Sequence, residues 1–103
     1  MTSPDEITVR ARGIDFGALE WGRHGDPLAL LIHGYPDTAW TWRHLGPDLA
    51  ADGRHVVAPF TRGYAPTGLA PNDDHRAAEQ AADVLALHEA PGGGDDAAFV
   101  GPD

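Results

Sequence analysis

The chain of 103 residues is long enough for one domain, and its formal charge of −9 argues against nucleic acid and anionic membranes as partners. Its 42% apolar and 22% charged residues are those of a globular chain, and no apolar run approaches the roughly 20 residues that span a bilayer. Without cysteine there is no disulfide, thiol nucleophile or zinc–thiolate site, and residues 1–6 lack the basic and apolar regions of a signal peptide, which predicts cytoplasmic residence.

Residues 7–11 alternate apolar and polar side chains and predict a half-exposed strand. Arg12-Gly13 predicts a turn, and 14–21 a second strand, so the two form a hairpin. A loop rich in Gly, Asp and Pro follows at 22–27. The unbroken apolar run 28–32 predicts a third strand buried on both faces, as in the middle of a parallel sheet. It ends abruptly in His33-Gly34-Tyr35-Pro36, a tight turn at the strand's carboxyl end. Open α/β sheets place their ligands at that edge.

Thr38 is positioned to cap a helix that starts near Ala39. Trp42, Leu45 and Leu49 recur at helical spacing, while Gly46-Pro47 predicts a kink or a division into two short helices. Asp52-Gly53 ends that segment, and 55–60 predicts a fourth strand. A Gly/Pro-rich loop occupies 61–71. Asn72 or Asp73 caps a helix to about Ala90, with Ala78, Ala81, Val84, Leu85 and His88 on one stripe. Pro91 and three glycines stop it, and 97–101 begins a fifth strand. The order β-β-β-α-β-α-β predicts an α/β fold, mostly parallel after an antiparallel start.

Several residue clusters invite other readings. None of the six histidines shows His-x-His or His-x-x-x-His spacing, so local spacing predicts no metal site. Gly92-Gly93-Gly94 follows a helix and leads into a strand, the reverse of a phosphate-binding loop. Asp73-Asp74 reads as helix capping and Asp95-Asp96 as a solvated turn.

The series His33-Gly34-Tyr35-Pro36, Trp40-Thr41-Trp42-Arg43, Val56-Val57-Ala58-Pro59 with Arg62-Gly63-Tyr64, and Phe99-Val100-Gly101 resembles the N-terminal part of an α/β-hydrolase. Within that family it is most similar to the branch of epoxide hydrolases, haloalkane dehalogenases and haloperoxidase-like esterases. The resemblance implies a partial α/β-hydrolase fold, with five strands in the order 1-2-4-3-5, flanking helices and no cap domain. It also implies that residues 1–103 are the N-terminal half of the domain, truncated at the nucleophile elbow.

The resemblance assigns roles as well. The backbone N–H of Tyr35 would be one donor of an oxyanion hole, with His33, Gly34 and Pro36 supporting the loop. His33 would be a hydrogen-bonding support and not the general base. Asp103 aligns with the nucleophile position, and Pro102 stands where the family has His. Tyr35 and Trp40 are candidate substrate contacts, with Trp40 left open and Trp42 assigned to packing. The family's Asp-x-Arg-Gly-x-Gly loop is altered here, because Phe60 replaces its Asp and Ala65 its second Gly. Arg62 therefore reads equally as a site residue or a surface arginine.

An epoxide, ester or carbon–halogen compound is the implied small-molecule substrate of the intact parent, with no cofactor. The later acid, the general base and the residues that complete the elbow are not among these residues, so the polypeptide alone is expected to be inactive. The alternative is a non-catalytic remnant or interaction module. Its fifth strand would pair edge to edge with a second copy or with a C-terminal-half partner.

Overall fold

The computed structural model describes residues 3–33, 38–61, 77–89 and 97–101. Strands β1 (Asp5–Ala11) and β2 (Ile14–Trp21) pair antiparallel from Asp5↔Glu20 to Ala11↔Ile14. Arg12 and Gly13 between them have φ of 51° and 73°. Two left-handed residues match the right-handed twist of the flanking strands, as a two-residue hairpin requires. Arg12 accepts a conformation that costs an L-residue about 1 kcal/mol. Its guanidinium donates to the buried carboxylate of Asp83 at 3.0 Å, which ties the turn to the helix lying across the sheet.

Strands β3 (Leu28–Leu31) and β4 (His55–Pro59) are parallel, and every residue of both is buried. With β5 (Ala98–Val100) the sheet has the order β1-β2-β4-β3-β5, as the family resemblance implied. β3 is one residue shorter than the apolar run, although the Ile32 N–H still donates to the Val100 carbonyl at 2.8 Å. Side chains alternate across the sheet. Ile14, Phe16, Ala18, Leu28, Leu30 and Val57 form one core with Leu87, while Leu19, Trp21, Ala29, Leu31, Val56 and Ala58 form the other with Ala39 and Phe60.

The segment after β3 is two short helices, one of the two outcomes Gly46-Pro47 predicted. A 3₁₀ helix spans Ala39–Trp42, and Thr38 caps it by accepting from the Trp40 N–H at 3.3 Å. Helix α1 (Leu45–Ala51) follows, with Pro47 in its first turn, where a missing N–H breaks no helical bond. Gly46 is where α1 crosses β2, since a Cβ there would sit 2.5 Å from the Trp21 ring. Gly53, at φ 89°, ends α1. Trp42 packs against the second core, as expected.

Helix α2 (Ala77–Glu89) corrects the expected stripe. Leu85 is 68% exposed, whereas Asp83 and Leu87 are buried beside the partly buried Val84. Leu85 lies about 200° around the helix from Leu87. The face is set by the seat for Leu87 on the sheet and by the Arg12–Asp83 pair, which lets a carboxylate point inward. The proposed caps at Asn72 and Asp73 lie outside the described residues. Among the described residues, no helix is long and apolar enough to cross a membrane.

Candidate active site

The carboxyl ends of β3 and β4 lie side by side, and the chain leaves β3 through Ile32 and His33. His33 is buried at 3% exposure. Its Nε2 accepts from the Thr61 backbone N–H at 3.0 Å and lies 3.3 Å from Thr61 Oγ1. A backbone N–H only donates, so Nε2 carries a lone pair and the neutral ring holds its proton on Nδ1. The imidazole thus clamps His33, two residues past the end of β3, to Thr61, two residues past the end of β4.

Phe60 meets His33 edge-on, with ring centroids 6.4 Å apart and planes at 66°. Phe60 is 5% exposed within the second core, and its N–H donates to the Gly17 carbonyl at 2.8 Å. The position where the resembling family carries Asp is therefore an apolar seat in this chain. Trp40 is 42% exposed on the 3₁₀ helix. Arg43 donates back to the Trp40 carbonyl at 3.1 Å and fixes the end of that helix.

The described residues bring His33, Phe60 and Thr61 together at one rim. Gly34, Tyr35, Pro36, Arg62, Ala65, Pro102 and Asp103 lie outside them. Beneath the rim a cavity of about 30 Å³ is lined by Phe16, Ile32, Thr61, Asp83, Val84 and Leu87. That is far below the several hundred Å³ of a ligand pocket.

Sequence reading missed one cluster altogether. At the opposite end of the sheet, Glu20 Oε2 lies 2.6 Å from His55 Nε2 and 3.0 Å from His24 Nε2. The two imidazoles stack with centroids 4.5 Å apart. Glu20 to His24 is a four-residue spacing that a search restricted to histidine pairs passes over. His55 joins from a different strand, which no local motif signals.

Comparison with known proteins gives concordant results. A family model described as alpha/beta hydrolase fold matches residues 27–103. Epoxide hydrolase A of Mycobacterium tuberculosis is 40% identical over 80 residues, covering 74% of this chain and 25% of that protein. The crystal structure of epoxide hydrolase A from Mycobacterium thermoresistibile superposes with a TM-score of 0.84 at 38% identity, covering 96% of this chain and 31% of the other. An epoxide hydrolase of Vigna radiata gives a TM-score of 0.86 at 29% identity, covering 98% and 32%. The chain therefore spans between a quarter and a third of the length of these three proteins.

Proposed function

The chain belongs to the α/β-hydrolase fold family, is epoxide hydrolase-like within it, and from that premise we propose that it supplies the oxyanion-side half of a hydrolase active site. The reaction class is opening of an epoxide, an ester or a carbon–halogen bond in a small molecule. Each develops negative charge, on the carbonyl oxygen of an ester, the ring oxygen of an opening epoxide or a departing halide, and a preorganised N–H aimed at that charge lowers the barrier. The Tyr35 N–H is the proposed donor, with Gly34 and Pro36 shaping its turn. Asp103 holds the nucleophile position, and Tyr35 and Trp40 contact the substrate.

The observation that carries this reading is the His33 clamp. With Nε2 accepting from the Thr61 N–H at 3.0 Å, the ring holds His33, where the His-Gly-Tyr-Pro segment begins, in place and is not free to act as general base. We propose that the 103 residues assayed by themselves show no turnover, since residues that act as a catalytic unit lose most of the rate when separated. We propose the cytoplasm as its setting.

A chimera tests the proposal. Residues 1–103 replace the matching segment of the Mycobacterium thermoresistibile enzyme, and turnover of styrene oxide and an aryl ester is measured. The expected result is a hydrolase whose kcat falls about 100-fold or more in Tyr35→Pro, which lacks the N–H, and much less in Tyr35→Phe, which keeps it. A folded but inert chimera, or turnover by the 103-residue polypeptide alone, counts against the reading.

A second reading is favoured by β5. Among the described residues this strand pairs only with β3, and Phe99 on it is 51% exposed. An edge of that kind invites pairing with a second copy or a C-terminal-half partner, which makes the chain a non-catalytic module. Size-exclusion chromatography separates the two: a monomer at all concentrations removes self-pairing.

A further inference from the structure

We propose that Glu20, His24 and His55 form a zinc-binding site at the end of the sheet opposite the hydrolase rim. The fold assembles it from three places. Glu20 lies near the end of β2 and is paired in register with Val57 of β4. His55 opens β4, on the same face two residues away. His24 returns over the strand ends through a loop that begins at Gly22, whose φ is 85°. A Cβ at Gly22 would collide with the Arg54 carbonyl, so the loop doubles back tightly against the residue preceding His55.

The donor atoms are already convergent. Both imidazole Nε2 atoms address one carboxylate oxygen at 2.6 and 3.0 Å, and the three ligand atoms lie within 4.8 Å of one another. Tetrahedral zinc with bonds near 2.0–2.1 Å separates its ligand atoms by about 3.3 Å. The two nitrogen–oxygen pairs reach that spacing by opening less than ~1 Å, which side-chain torsions accommodate. The His24 side chain is 80% exposed, and its contacts are the stacked His55 ring and the Glu20 carboxylate, both members of the cluster.

Two imidazoles and a carboxylate form a borderline-soft donor set that suits zinc and leaves coordination positions open. Those positions face a cleft of about 420 Å³ lined by Glu20, His24 and His55 together with Ile7, Val9 and Arg10 of β1. The Arg10 guanidinium there is engaged by Asp15 at 2.6 Å. Charge supports a cation. Glu20 is 8% exposed, and a divalent ion would neutralise its buried carboxylate. The chain's charge of −9 also raises the local cation concentration.

Calorimetric titration of the chelator-stripped full chain with ZnCl₂ tests the site. One equivalent is expected to bind saturably, and Co²⁺ in its place should give the visible absorption of a low-coordinate nitrogen–oxygen site. Glu20→Gln and His24→Ala should each weaken binding by about 10-fold or more, taking the loss typical of outer-sphere groups as a lower bound. His44→Ala, an exposed histidine elsewhere, should change nothing. Circular dichroism checks that the variants fold. Should Glu20→Gln unfold, the exposed His24→Ala decides alone. Absence of a 1:1 site, or binding indifferent to both substitutions, overturns the proposal and leaves a hydrogen-bonded cluster without a metal.

Discussion

The two ends of the sheet hold histidines in opposite ways. At the carboxyl ends of β3 and β4, His33 is buried and its Nε2 accepts from a backbone N–H. At the amino end of β4, His55 is also buried, but its Nε2 faces a carboxylate shared with a second histidine. The ends are about 20 Å apart along β4, counting six residues at strand rise. The first arrangement uses a histidine as a structural clamp and fixes its tautomer. The second gathers ligating atoms and leaves their protons to the neighbourhood. The same side chain thus serves as scaffold or as candidate ligand according to what its nitrogen meets.

Substitutions sharpen that contrast, and urea denaturation midpoints at constant m-value read each one. Leu30→Ala removes a fully buried side chain from the interior of β3, between the two ends. It should cost about 3 kcal/mol, the scale against which either end is judged. His33→Ala should cost about 2 kcal/mol, through the lost ring and an unsatisfied Thr61 N–H. A loss below about 0.5 kcal/mol would show that the ring is no clamp.

Glu20→Ala in metal-free buffer should cost between about 1 and 2 kcal/mol, since buried His55 loses its partner while exposed His24 regains water. If it matches or exceeds the Leu30→Ala loss, the amino-end cluster is a structural keystone in the same sense as the rim. Arg12 gives a smaller and more discriminating pair. Arg12→Ala and Arg12→Gly both lose the contact with Asp83, but only Gly relieves the left-handed backbone, so Gly should be more stable than Ala by about 1 kcal/mol. The smallest effect belongs to Arg10→Ala at the cleft. Its ion pair with Asp15 involves side chains 66% and 57% exposed, so the change should stay within about 0.5 kcal/mol.

Local pattern made much of the fold legible. The hairpin, the buried third strand, the Thr38 cap and the Gly53 stop each rest on residues close together in the chain, where sterics and hydrogen bonding act without tertiary help. The α2 stripe was misread because Leu85 and Leu87 are equally apolar and only the sheet decides which faces inward. Asp83 would have argued against that face had Arg12 not been folded back to meet it. At the carboxyl ends of β3 and β4, the contact between His33 and Thr61 spans 28 residues and leaves no local trace.

The sequence by itself determined the alternation of strands and helices, because periodicity, capping and turn geometry are short-range effects, and its ordered motifs carried the family resemblance. Only the tertiary structure decided which nitrogen of His33 is occupied, which face of α2 is buried, and that Glu20, His24 and His55 meet. Those outcomes depend on strand register and on how the loop at 22–27 doubles back. Register brings Glu20 opposite Val57, with His55 two residues away on the same face. No spacing along a single strand encodes that meeting.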